Sequence, residues 1–127
     1  MGALGFLAVG VGATLGAWLR WALSVGLNNY LINLPLGTLL ANLGGGYLIG
    51  IAVGFFQDFP ELTPEIRLLV VTGFLGGLTT FSTFSAEAMM LLQRSQYLWA
   101  FTHTGLHLLG SIAFCIAGLA TWRMIAG

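Results

Sequence analysis

The chain has 127 residues, of which 57% are hydrophobic and 6% charged, with four arginines, four acids and a formal net charge of zero. Soluble domains carry about a quarter of their residues as ions, so this composition excludes a water-facing surface and describes an integral membrane chain. Without lysine there is no basic face for nucleic acid, and a single cysteine, Cys115, excludes an internal disulfide and a Cys-rich metal cluster.

Four apolar stretches each approach the roughly 20 residues that cross a bilayer core. The first covers residues 4–27. No positive charge precedes its apolar run, so it is expected to be a permanent helix and not a cleaved signal. Asn28, Asn29, Asn33 and Pro35 punctuate a short connection to the second stretch, 36–56. Residues 57–65 then gather three of the four acids and two of the three prolines before the third stretch, 66–92, and the fourth, 98–125. Nothing remains for a soluble domain. The pattern predicts an all-α membrane protein, a single four-helix transmembrane domain over 1–127. No nucleophile–base pair or cofactor loop marks an enzyme.

Aromatic residues agree with these spans. Trp18, Trp21, Tyr30, Tyr97 and Trp99 fall near one membrane face, and Phe55, Phe56, Phe59 and Trp122 near the other, as expected for rings that sit at headgroup level. Arg67 and Arg123 lie toward the second of these faces, while Arg94 lies at the first with Arg20 pointing toward it. Two against two leaves almost no positive-inside bias. Such a chain can insert in both orientations and form an antiparallel dimer of itself, unless features other than charge fix its direction.

Nineteen glycines need a physical reason. In lipid, small residues let helix backbones approach and so drive packing. Gly12 and Gly16 form one such stripe, continued by Arg20. Thr38, Asn42, Gly46, Gly50 and Gly54 form another, carrying a hydroxyl and an amide into a close-packing groove. A packing face whose asparagine bonds a neighbouring carbonyl would give the same pattern.

The third stretch departs furthest from a plain lipid-facing helix. Gly73, Gly76 and Gly77 precede Leu78-Thr79-Thr80-Phe81-Ser82-Thr83-Phe84-Ser85, with Glu87 shortly after. Unwound backbone at membrane depth survives only inside protein or beside a wet cavity. A break near 76–80 would free carbonyls for a small hard cation and create a helix N-terminus that favours an anion. Phe81 and Phe84, three apart, share a face of the restarted helix, where ring edges are the positive part of the quadrupole and can line an anion path. Core packing is the competing explanation.

The run from Gly73 to Glu87 resembles the signature of the Fluc (CrcB) fluoride channels. Gly16-Ala17-Trp18-Leu19-Arg20-Trp21 is similar to that family's first-helix arginine motif, and Pro35-Leu36-Gly37-Thr38-Leu39-Leu40-Ala41-Asn42-Leu43 to its second-helix motif. Length, segment count and motif order match over nearly the whole chain. The resemblance implies a fluoride-selective channel in the bacterial inner membrane that exports fluoride and relieves its toxicity. It also implies an antiparallel, dual-topology homodimer with two pores. By the same resemblance Phe81 and Phe84 edge each pore, Asn42 lies near the ion, and Ser82 and Thr83 sit beside the rings. Backbone carbonyls of Gly76 and Thr79 from both chains would hold a central structural sodium, and Arg20 would stand at the vestibule mouth.

On the fourth helix His103, His107, Ser111 and Cys115 are four apart and lie on one face, where the family carries a polar ion track. His-x-x-x-His is also half of a zinc site by spacing, but no Glu follows His103 and no cluster of soft ligands is visible. Buried neutral histidines bonded to backbone carbonyls are a further reading. Fluoride is strongly hydrated, so a pore must replace water with donors weak enough to release it. Thr38, Asn42, Ser82, Thr83, Ser111 and imidazole N–H groups are such donors. Glu87 is awkward there, since an ionised, unpaired acid costs about 2.5–3.5 kcal/mol at a helix centre. It is expected to be protonated, paired through hydroxyls, or able to turn toward the pore. A small multidrug-type, proton-coupled exporter of organic cations is the alternative transport class, and a non-transporting scaffold subunit would explain the glycines but not the polar break.

Overall fold

The computed structural model describes residues 2–127, and they form helices joined by short connections. Helix α1 (Ala3–Leu27) and helix α2 (Leu36–Asp58) are followed by α3 (64–78), α4 (Phe81–Gln93) and α5 (Tyr97–Ala126). Four units, with α3 and α4 counted as one span from Pro64 to Gln93, are long and apolar enough to cross a membrane. At 1.5 Å per residue, even 23 residues reach about 34 Å, more than a bilayer core of about 30 Å. Large apolar side chains along α1 and α5, such as Phe6, Leu109 and Ile116, face outward, as lipid as a solvent requires.

The third span is irregular along its length. Pro64 sits in the first turn, where its missing N–H leaves no bond unmade. Residues Leu68–Leu75 then wind as a π-helix, a wider coil that is rare and short elsewhere. Gly76–Leu78 return to α geometry. The break itself is two residues long: Thr79 (φ −81°, ψ 153°) and Thr80 (φ −146°, ψ 118°) are both extended. It therefore falls at the threonines, while Gly76 and Gly77, at the start of the stretch expected to unwind, stay helical. Thr80 caps the restarted helix, its hydroxyl accepting the Thr83 N–H at 3.0 Å, the usual means of satisfying a free N-terminal donor.

Glycines explain how the spans pair. A Cβ on Gly16 would meet the Phe74 carbonyl and lie 2.7 Å from the Leu78 nitrogen, so α1 and α3 touch backbone to backbone. On Gly50 it would meet the Cys115 carbonyl and lie 2.7 Å from the Leu119 nitrogen, so α2 and α5 do the same. None of these glycines has positive φ. Their role is proximity, as small residues serve between membrane helices. A small apolar core of Ala41, Ala52, Phe56, Leu75 and Leu78 joins the two pairs. At one end Phe55 and Trp122 pack edge to face at 5.4 Å, and the Trp122 indole donates to Asp58 at 2.8 Å.

Candidate functional site at the helix break

The break exposes peptide groups that no longer have helical partners, and α2 supplies one. Asn42 accepts the Thr80 N–H on Oδ1 at 2.7 Å and donates from Nδ2 to the Thr80 carbonyl at 3.0 Å. Its side chain thus acts as a substitute peptide for a residue that has lost its neighbours. The same Nδ2 stands 3.0 Å from His107 Nδ1 on α5. Three elements meet at one amide.

One turn earlier on α2, Thr38 is buried and donates to Glu87 Oε2 at 2.7 Å. The other carboxylate oxygen, Oε1, lies 2.9 Å from His103 Nε2. Asn28, in the connection after α1, orients Thr38 by accepting its backbone N–H at 3.1 Å and donating to its hydroxyl at 3.3 Å. Since that hydroxyl accepts from Asn28, its own hydrogen goes to Glu87. The acid is therefore engaged on both oxygens. Burial of a carboxylate is tolerable when its lone pairs are met in this way.

Aromatic rings cover this polar chain. Phe84 stacks on His103 with parallel planes at 5.4 Å and lies 4.9 Å from His107, while Phe81 is 5.5 Å from Phe84. The two phenylalanines do share a face, but their settings differ. Phe84 is packed against the histidines, and Phe81 is 79% exposed. A cavity of about 570 Å³ opens beside them, lined by Asn42, Thr79, Thr80, both phenylalanines, His107 and Ser111 among others. A smaller cavity of about 170 Å³ is lined by Asn33, Glu87 and Arg94 with neighbouring apolar groups. His107 thus faces the larger space and Glu87 the smaller, with fully buried His103 between them.

The remaining residues singled out from the sequence are placed as follows. Ser82 Oγ is 3.3 Å from the Thr80 hydroxyl, and Thr83 gives its backbone N–H to the cap. The Arg20 Nε donates to the Gly77 carbonyl at 3.0 Å, which anchors the guanidinium on the break. Thr79 ties its hydroxyl to the Leu75 carbonyl at 2.9 Å. Gly76 is exposed, and a Cβ there would meet only Val71 O, at 3.6 Å. No contact among the described residues requires that position to be glycine.

Glu87, His103 and His107 bring one potential metal-ligand atom each to within 4.8 Å of one another. Sequence spacing gave only the two histidines; the third ligand comes from another helix. The hydrogen bonds argue against a metal, however. The His107 Nδ1 lone pair is met by the Asn42 amide, and the His103 Nε2 is held by Glu87. A cation held by those two atoms would have to break both bonds, while the opposite ring nitrogens, His103 Nδ1 and His107 Nε2, have no partner among the described residues. Sequence reasoning also missed Asn28 and Thr80. Thr80 was legible as the cap of a restarting helix, whereas nothing near Asn28 signalled its reach to Thr38.

These features define a class: a multi-pass helical membrane protein whose neutral polar groups converge on a broken span. Residues 7–119 match the family described as CrcB-like protein, Camphor Resistance (CrcB), and the chain belongs to that family. A relative from Cupriavidus pinatubonensis, described as a fluoride-specific ion channel FluC, is 61% identical over 99% of this chain and 100% of its own length. Relatives with the same description from Pseudomonas putida and Nitrosomonas europaea are 56% and 54% identical, covering 95% and 91% of both chains.

Proposed function

We propose that this protein is a fluoride channel of the bacterial inner membrane, through which fluoride leaves the cell down its gradient. The carrying observation is the large cavity at the break. It combines phenylalanine rings with His107 and Ser111, neutral polar groups that can replace part of fluoride's water shell, and with Asn42, whose amide is bonded to Thr80 and His107. No fully charged side chain lines it. That suits conduction, where an ion must bind weakly enough to leave. Glu87 does not line this cavity, and its two oxygens are occupied by Thr38 and His103. The full-length similarity to fluoride-specific channels supports the same reading.

The channel works as an antiparallel homodimer with two pores. Supporting this is a set of residues that one chain leaves open: exposed Gly76, whose smallness no internal contact demands, and exposed Phe81 within a polar stretch. Both suit a face closed by a second copy. Gly76 and Thr79 would contribute carbonyl oxygens to a structural sodium where two breaks meet, a site whose hard donors match that cation. Symmetric contribution from identical chains is natural at a twofold axis.

The test is fluoride efflux from liposomes containing purified protein, with chloride and an organic cation as controls. Fluoride release with neither control ion moving is expected. Release driven by the organic cation would favour the exporter class, for which an unengaged chamber acid is needed.

A further inference from the structure

We propose that Asn42 acts through His107, holding its ring in the tautomer that carries the proton on Nε2, so that an uncharged imidazole offers a fixed hydrogen-bond donor to an anion in the large cavity. The tautomer follows from hydrogen-bond polarity alone. Naming the anion as fluoride rests on the reading above.

Thr80 N–H can only donate, so the Asn42 atom 2.7 Å away is the carbonyl oxygen. The other end of the amide is therefore NH₂, with two hydrogens and no lone pair to accept with. One hydrogen goes to the Thr80 carbonyl at 3.0 Å and the second to His107 Nδ1, also at 3.0 Å. Nδ1 must then be the unprotonated nitrogen. A ring with a bare Nδ1 is neutral and has its hydrogen on Nε2.

That Nε2 is buried and has no partner among the described residues. A buried donor left unmade is unfavourable, and here the ring bearing it lines the cavity beside Phe81 and Phe84. A small anion that has shed water supplies the missing acceptor when the rings packed around Nε2, Phe84 at 4.9 Å among them, give way. The opposite tautomer would turn a lone pair toward the same anion and repel it. Asn42 thus decides the sign of the interaction. His103 differs: its Nε2 faces Glu87 Oε1 at 2.9 Å, and the atom left without a partner is Nδ1. Of the two rings, only His107 lines the large cavity. Asn42 is in this sense a positioning residue.

The first test needs no variant. Nitrogen NMR of histidine-labelled protein in bilayers, with the His107→Gln variant to assign the signals, should show His107 with a bare Nδ1 and a protonated Nε2. The Nε2 signal should move when fluoride is added. A protonated Nδ1, or a ring protonated on both nitrogens, overturns the proposal. The second test is a double-mutant cycle on fluoride flux. Asn42→Ala alone should lower flux about tenfold or more, the scale of one lost anion hydrogen bond. In a His107→Gln background, whose amide donor has no tautomer to set, the further loss should be under about threefold. Equal losses in both backgrounds would mean that Asn42 acts on the ion or the break directly, and would overturn the positioning role. If the unmodified protein passes no fluoride but shows the expected tautomer, the functional reading fails while the tautomer assignment stands.

Discussion

Glu87 is the most heavily engaged ionisable group in the interior, and its removal should be graded by how many donors it strands. The residue is 7% exposed, accepts from the Thr38 hydroxyl and is hydrogen-bonded to the His103 ring. Glu87→Ala leaves both Thr38 and His103 without this hydrogen-bond partner. At about 1–3 kcal/mol for each stranded group, the loss of stability is about 2–6 kcal/mol. Interhelical hydrogen bonds in membranes have averaged only about 0.6 kcal/mol in measured cycles, which favours the lower end of that range. Glu87→Gln keeps one acceptor. Its new NH₂ must face either the Thr38 hydroxyl or the His103 ring, and one of those must reverse its polarity, at a loss of about 1–3 kcal/mol. Thr38→Val, equal in shape, removes one donor to the acid and one acceptor from Asn28 and should resemble the Gln variant. Denaturant titration of purified protein in mild detergent, followed by tryptophan fluorescence, gives the three values. The expected order is Ala worst, with Gln and Val similar and milder. Equal stability of all three with the parent, or a Gln variant weaker than the Ala variant, would refute the hydrogen-bond reasoning.

The two phenylalanines should separate in their effects: Phe81→Ile, on a ring exposed in the single chain, should reduce fluoride flux at less cost in stability than Phe84→Ile. Phe84→Ile loses the stacked His103 ring and should reduce both flux and stability, the latter by about 1 kcal/mol in denaturant titration. Gly50→Val would force apart helices that meet at the Cys115 carbonyl and should lower stability by about 3 kcal/mol or prevent folding, read as loss of a monodisperse peak in size-exclusion chromatography. Thr79→Ser should be nearly silent, whereas Thr79→Pro deletes the N–H that bonds the Leu75 carbonyl at 3.0 Å and should destabilise by about 3 kcal/mol. Replacing sodium by N-methylglucamine on both sides should slowly lower flux or dimer lifetime. Ser95, which takes φ 59° in the turn after α4, should be improved by Ser95→Gly, with a gain of about 1 kcal/mol in the same titration.

Much of this architecture was legible in the chain. Twenty-residue apolar runs specify spans because lipid leaves no other way to satisfy a backbone, and the four-residue stripe from Thr38 to Gly54 follows from helical period. The Gly46 and Gly50 positions of that stripe do meet α5. The hydroxyl-rich run announced an interruption of the third span, and the structure narrows it to Thr79 and Thr80. The rest depended on distance in sequence. Glu87 and His103 are sixteen residues apart, on different helices, and no periodicity connects them. The bond from Arg20 to Gly77 spans 57 positions, and the sequence motif around Arg20 carried no sign of it. The π-helical stretch from Leu68 to Leu75 likewise has no composition of its own.

The glycine contacts have a consequence for how such a site can change over time. At Gly46 and Gly50, α2 rests directly on the main chain of α5. The gap between the elements carrying Asn42 and His107 is consequently a main-chain dimension, indifferent to the bulk of side chains on the lipid-facing sides. Outer surfaces can drift freely to suit different membranes while the amide-to-imidazole spacing stays put. Residues projecting into the cavity from those same helices, Ser111 and Leu108 among them, can likewise be exchanged one at a time to retune what the space admits, without disturbing the frame that sets its width.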